Sequence, residues 1–429
     1  MNTGTATIIL ENPEALKTVA SAGRISTTGG SALEVLKKSD GGRKDLQLVG
    51  KVLSSGHRSV LEHQTLSIAF DDVSVLVEQF AIEFRLASFT VKSRRYVDFS
   101  GAGYVVPEGA PEGFDKRMEE LFALYGRLLE LGVPREDARF VLPYCFRSNF
   151  YMTLNAREFV HFVCAMLYGR GSRYAELREL GASLKAQFDR LYPGVIRPEA
   201  AGETASGSLP GAFCAGGAVE GSARLVSKPE CGPLLEMALK FSGRGDKADF
   251  LLTDARPREL ELLYFVFAVR NVSLSCVTHF ARHRMQSPLF MPTLDALARG
   301  NYVLPETIAA IPEARAAYEA AFQAQGAFAQ EMIRLGLRPE DAAYCALSGH
   351  TADILFGMNA RELLHFFKLR TCERAQWEIR AVARQMLAQL RACEGELFDG
   401  YGPSCLVTGR CPEGRLSCGR PRKRGEMEI

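Results

Sequence analysis

The chain has 429 residues, 47% of them apolar and 24% charged. That length is well beyond the ~150 residues of a common single domain and predicts two large domains or a duplicated one. These fractions exclude a wholly disordered chain, and a net charge of +2 excludes a strong global field, so any phosphate must be gripped by locally placed arginines. Eleven cysteines show no CxxC pair, Met1–Glu14 lacks a basic leader, and the longest apolar stretch, Leu262–Val269, is too short to span a bilayer. A soluble cytoplasmic protein with reduced thiols and no membrane association is the expectation.

In chain order, a polar, partly helical start leads to a β-run at Thr65–Phe70, and a long helix is predicted over Asp115–Glu130. LGVPREDA follows at Leu131–Ala138. A further helix then opens at Asn155, with Glu158 three residues on as in a capping box. Between Pro193 and Gly232 the chain turns rich in Gly, Ala, Ser and Pro, which predicts a flexible linker or long surface loop over 194–225. The same succession then returns. A β-run at Leu262–Val269 and a helix over Ala314–Leu335 precede LGLRPEDA at Leu335–Ala342, and Asn359 with Glu362 opens the last of the matched helices.

The repeat is quantitative. NAREFVHF (Asn155–Phe162) and NARELLHF (Asn359–Phe366) agree at six of eight positions, with the same 204-residue spacing as the two LG-x-x-x-EDA blocks. Upstream, Glu62 and Arg85-Leu-Ala-Ser88 match Glu261 and Arg284-Met-Gln-Ser287, 199 residues on. This is a domain-sized duplication, with copies predicted at 1–225 and 226–429. Helices and strands in irregular order predict an α+β fold. The lack of GxGxxG and GxxxxGK[ST] loops weighs against dinucleotide-fold and P-loop chemistry.

Phe280–Ser287, FARHRMQS, is the most unusual segment. Arg282, His283 and Arg284 in succession after an apolar stretch are costly near a core unless anions answer them, and arginine's planar fork suits phosphate. A solvated basic turn is the plain alternative. The second copy resembles the flavin-dependent thymidylate synthase family, whose signature runs RHRxxSxNxxSxRY. The resemblance covers most of each copy, including His57-x4-Glu62-His63, LGVPREDARFVLP, the NAR helices and the AQWEIR run at Ala375–Arg380. Members are usually about half this length. The chain therefore resembles two fused protomers forming an intrachain pseudo-dimer, with a homodimer rebuilding the family's four-subunit arrangement.

The copies keep different halves of the signature. Copy two retains Arg282-His283-Arg284-x-x-Ser287 but has Pro292 and Leu294 where the later Ser and Arg belong. Copy one has Glu83 and Phe84 for the first Arg and His, yet keeps Ser93-Arg94-Arg95-Tyr96. Arg370 of copy two faces Met166, and Arg139 of copy one faces Ala343. The resemblance implies reductive methylation of deoxyuridine monophosphate (dUMP) to thymidylate (dTMP) with FAD, using NADPH and methylenetetrahydrofolate as co-substrates, at one composite site. It implies that Arg282, His279, Ser93, Arg94, Arg95, Arg139 and Arg370 hold the nucleotide, with Arg370 stabilising charge on the pyrimidine ring. Arg282, His283, Arg284, Asn359, Arg361 and His365 would hold FAD, with Ser59 and His57 contributing from copy one.

Other features have structural readings. Asn155, Arg157 and His161 are expected to be structural, Glu62 and His63 are readable as a packed pair, and Gln376 with Trp377 is expected to pack or join a polar network. Cys405, Cys411 and Cys418 have spacing unlike zinc ligation, so free thiols and no metal are expected. Arg420, Arg422, Lys423 and Arg424 read as a solvated end, with no nucleic-acid role. The family's acidic residue is replaced by Val91 and Phe290. That departure leaves two other readings, a diverged non-catalytic flavin- or nucleotide-binding protein and an enzyme acting on another pyrimidine nucleotide.

Overall fold

The computed structural model describes residues 3–200, 209–244, 249–252, 254 and 256–421. The 201–208 part of the predicted linker, and Arg422, Lys423 and Arg424 of the basic end, lie outside these described residues. Two four-stranded antiparallel sheets repeat one topology, as a tandem α+β duplication requires. β1 (Thr5–Leu10), β2 (Thr65–Ser74), β3 (Ala87–Val91) and β4 (Arg147–Asn155) stand in the order β1-β2-β4-β3. β5 (Ser222–Ser227), β6 (Tyr264–Ser273), β7 (Gln286–Phe290) and β8 (Thr351–Asn359) stand in the order β5-β6-β8-β7.

Alternation sets each sheet's inner face. In β2, Leu66, Ile68 and Phe70 are buried while Thr65, Ser67 and Ala69 point the other way. Both central strands run further than their apolar runs suggested, because each passes through a bulge. Asp72 (φ 55°) and Asn271 (φ 56°) sit at the register shifts between Phe70 and Val73 and between Val269 and Val272. Short polar side chains tolerate this left-handed backbone better than most.

Each bulge delivers the chain to a helix, Val75–Ile82 in copy one and Leu274–Ala281 in copy two. The caps Ser74 and Ser273 accept from the N–H of Val77 (3.2 Å) and Cys276 (3.0 Å). Their hydroxyls donate to the buried carboxylates Glu176 (2.6 Å) and Glu378 (2.5 Å). These helices end on the two divergent signature positions, Glu83 and Arg282, and β3 and β7 then return to the sheets.

The chain forms two compact units, residues 1–212 with 327–346, and residues 213–326 with 347–429. In the first, Phe70 and Phe150 stack at 4.4 Å, and Phe162 meets Phe70 edge-on at 6.2 Å. The Tyr344 hydroxyl donates to Glu176 at 2.9 Å in the same unit, and the Tyr144 N–H donates to the Ala346 carbonyl at 2.7 Å. In the second, Phe280 stacks on Phe366 at 5.6 Å and Phe265 meets Phe398 edge-on at 5.2 Å.

The far end of the predicted linker is docked within the second unit. Cys214 N–H donates to the Ala298 carbonyl at 2.8 Å, and Val219 N–H to Tyr302 at 2.9 Å. Gly216 lies so close to Gly300 and Asn301 that a Cβ would come within 2.4 Å of backbone. None of the eleven cysteines is joined in a disulfide. Among the described residues no helix is long and apolar enough to cross a membrane.

Candidate active site

The helix Ala360–Arg370 of copy two starts where the sequence predicts, with Asn359 Oδ1 accepting from the Glu362 N–H at 2.9 Å. The Glu362 carboxylate turns inward instead of back to the cap and is 9% exposed. Arg361, His365 and Lys368 recur at i, i+4 and i+7, so one helix face carries all three. With Asp254, Glu261 and Met285 they line an open cleft of 460 Å³. Arg361 is ion-paired with Glu261. Lys368 has no acidic partner among the described residues, and burial lowers its ammonium pKa. A half-buried cation in that condition suits an anionic ligand.

Arg370 leaves the same helix in another direction, as its five-residue step from His365 predicts. Its Nε donates to His283 Nε2 at 3.0 Å and its Nη2 to the His279 carbonyl at 3.3 Å. Arginine can only donate, so His283 Nε2 is an acceptor and the ring proton lies on Nδ1, which donates to Glu362 Oε1 at 3.0 Å. Burial, then the Arg370 charge, then His365 hold this imidazole well below the usual histidine range, so it is neutral. The result is a continuous chain Glu362–His283–Arg370.

His283, which the resemblance assigns to the flavin, is held here between Glu362 and Arg370. It is buried, edge-on to Phe366 at 4.9 Å, and bonded to Arg370, while Arg282 and Arg284 on either side are exposed. His283, Glu362 and His365 lie close enough together to share an ion. The proton on Nδ1 leaves His283 no lone pair to offer one there.

In copy one the surviving half of the signature is built differently. Ser93 Oγ accepts the Arg95 N–H at 3.3 Å, and the Arg95 guanidinium pairs with Glu136 and lies 5.6 Å from the Tyr96 ring centroid. Arg139 is buried, and its Nε donates to the Glu136 carbonyl at 2.9 Å. Arg95 and Arg139 thus both meet Glu136, one at its carboxylate and the other at its backbone carbonyl. Arg94 does not join them: it is 5% exposed and paired with the buried Glu78, which also accepts from the Ser148 hydroxyl. Arg94, which the resemblance assigns to the nucleotide, is held here by that buried pair.

His57 and Ser59 are exposed, Ser59 in the 3-10 turn Arg58–His63 and His57 just before it. Glu62 of that turn pairs with Arg157 at 2.5 Å rather than with His63. Asn155 is a cap, accepting from the Glu158 N–H at 2.9 Å. Copy one keeps a cleft of 490 Å³, lined by Leu53, Arg58, Leu86, Arg157, His161 and Arg197 among others. Where copy two has His283 and Arg370, copy one has Phe84, packed on Phe162 at 5.0 Å and Phe80 at 5.4 Å, and the fully buried Met166. Glu83 pairs with Arg170. Gln376 caps its helix, its Oε1 accepting from the N–H groups of Glu378 and Ile379 at 3.1 Å each.

Three contributors escaped sequence reading. Lys368 was detectable as the third member of the Arg361–His365 stripe. Glu362 was read only as a capping residue, and Glu136 only as part of a repeated block.

A family model described as thymidylate synthase complementing protein (Thy1) matches residues 7–194 and again 234–393. The flavin-dependent thymidylate synthase of Geobacter sulfurreducens is 37% identical over 164 residues, covering 38% of this chain and 70% of that protein. That of Clostridium tetani is 34% identical over 193 residues, covering 40% and 76%. A solved UMP/dUMP methylase, PolB from Streptomyces cacaoi, is 25% identical with a TM-score of 0.39, covering 46% of this chain and 94% of its own. With the family model matched twice in order over most of its length, and two sheets of one topology, the chain belongs to the thymidylate synthase complementing protein family as a tandem two-copy member.

Proposed function

We propose that this chain is a flavin-dependent thymidylate synthase, converting dUMP to dTMP with methylenetetrahydrofolate as one-carbon donor and NADPH as reductant. Support comes first from the Glu362–His283–Arg370 chain, which holds a permanently charged guanidinium against a neutral ring. In this reading Arg370 stabilises negative charge developing on the pyrimidine, a task for which single donors contribute about 3 kcal/mol. Ser93, Arg95 and Arg139 grip the phosphate with Arg282, and Arg95 exchanges Glu136 for the nucleotide. Arg94 secures the Ser93–Tyr96 segment from below. His279 contributes its carbonyl to Arg370.

We assign the flavin dinucleotide to the cleft of copy two, because Lys368 supplies there a half-buried positive charge without a protein counter-ion among the described residues. FAD, when bound, supplies the hydride-transfer chemistry. Arg361, His365 and Lys368, on the helix that Asn359 caps, hold its phosphates and rings together with Arg282 and Arg284. His57 and Ser59 contribute from copy one. Neither copy retains all the residues, so activity requires both, whichever chain each comes from. The working form is a homodimer in the cytoplasm.

Val91 and Phe290 favour a second reading, because strand residues without charge stand where the family has an acid. The protein would then bind flavin and nucleotide without making thymidylate, or act on another pyrimidine monophosphate. Purified chain should show a flavin spectrum that responds to dUMP, and expression should rescue a thymidine-requiring strain. A flavin spectrum without rescue would support the binding protein, and a different methylated product would support the altered substrate.

A further inference from the structure

We infer that His283 is a positioning residue for Arg370, working as a neutral, singly protonated spacer between that guanidinium and the buried Glu362. The inference deepens the proposed reaction and rests on it for the part of its test that reads activity.

Arg370 sits at the last turn of its helix on a long, flexible side chain. Fixing it needs contacts that define a direction. His283 Nε2 receives Nε at 3.0 Å and the His279 carbonyl receives Nη2 at 3.3 Å, so two points of the planar fork are set. His283 can accept there only while its other nitrogen donates, and Glu362 takes that proton at 3.0 Å. A direct Glu–Arg pair would neutralise the guanidinium that the reaction needs. The imidazole between them passes on orientation and keeps the two formal charges apart. Phe366 and the surrounding core leave the ring little freedom, as its 4% exposure shows.

The duplication offers an internal control. At the matching positions copy one has Phe84 for His283 and Met166 for Arg370, both buried, while Glu158 remains and turns to His161 at 3.5 Å. The aromatic spacer and the cation have been exchanged as a pair. That is expected of partners in a buried polar chain, where removing one strands the other.

The test is a double-mutant cycle on the full chain with H283F, R370M and H283F/R370M, plus H283Q, whose amide can accept from Arg370. H283F should lower kcat by about 100-fold or more, the scale of a lost charge-stabilising donor, with KM for dUMP within about threefold. H283Q should recover at least a tenth of the activity. H283F should cost nothing further in the R370M background. In thermal unfolding, H283F/R370M should melt closer to wild type than the sum of the single shifts. Additive losses of kcat, or additive melting shifts, would overturn the inference. Wild-type protein that makes no thymidylate would refute the proposed reaction instead, and the melting cycle would still decide the coupling.

Discussion

The two copies share a sheet, a bulge, a capped helix and a pair of buried carboxylates, yet under the signature they differ almost position by position. Copy one buries Glu78, Arg94 and Ser148 together, and the matching residues of copy two are Val277, Thr293 and Ala352. Copy two buries Glu362, His283 and Arg370 in a chain, where copy one has Phe84 and Met166. Each polar network lies beneath the half of the signature its own copy has kept. Buried polar groups are worth keeping only as complete sets, so a copy freed from one task sheds the set and fills the space with apolar atoms. Specialisation after duplication is therefore visible in the core as well as at the surface.

Breaking one network should be far worse than exchanging it whole. R94M strands the Glu78 carboxylate and should cost about 3–5 kcal/mol in denaturant unfolding. The triple variant E78V/R94T/S148A, which imports copy two's residues, should recover most of that stability but bind dUMP more weakly, because the Ser93–Tyr96 segment loses its anchor. If R94M unfolds like wild type, the network does not hold that copy together.

The clefts sharpen the contrast next. K368C, which imports Cys164 from copy one, should weaken flavin retention about tenfold, the worth of one charge-assisted contact. Dialysis followed by flavin fluorescence reads this, and unchanged retention would move the flavin elsewhere.

A smaller difference concerns pH. His350 accepts the Leu347 N–H through Nδ1 and is fully buried, and burial holds its pKa at about 3. An unfolded histidine titrates near 6.5. Between these values the folded state binds fewer protons, so stability is whole above about pH 6.5 and falls by up to ~1.4 kcal/mol per unit on acidification toward about 3. Copy one has Phe146 here, and H350F should flatten this slope in unfolding measured from pH 7 to 4.5. The smallest effect belongs to the ion pairs Arg157–Glu62, which is exposed, and Arg361–Glu261, which is part-buried. Removing either should change stability by less than about 1 kcal/mol, and a larger change in one copy alone would mark a coupled role.

Much of this was legible in the sequence, because periodicity, capping and repetition are local. One central strand of each sheet and the Asn-capped helices followed from residues a few positions apart, and the complementary halves of the signature from comparing the two copies. The orientation of Arg94 and His283 did not. Each looked like a surface cation in a run of cations, and what turns it inward is a carboxylate on another element, Glu78 or Glu362. The bulges were hidden as well, since Asp72 and Asn271 resemble ordinary turn residues until the register is known.

The central claim is that the nucleotide's grip is shared between copies whose losses are complementary. Calorimetric titration of dUMP into flavin-loaded wild type, Arg95→Ala and Arg282→Ala reads it directly. The account predicts that each substitution abolishes binding, although one lies in the front copy and the other in the rear. Wild-type affinity in either variant would contradict it.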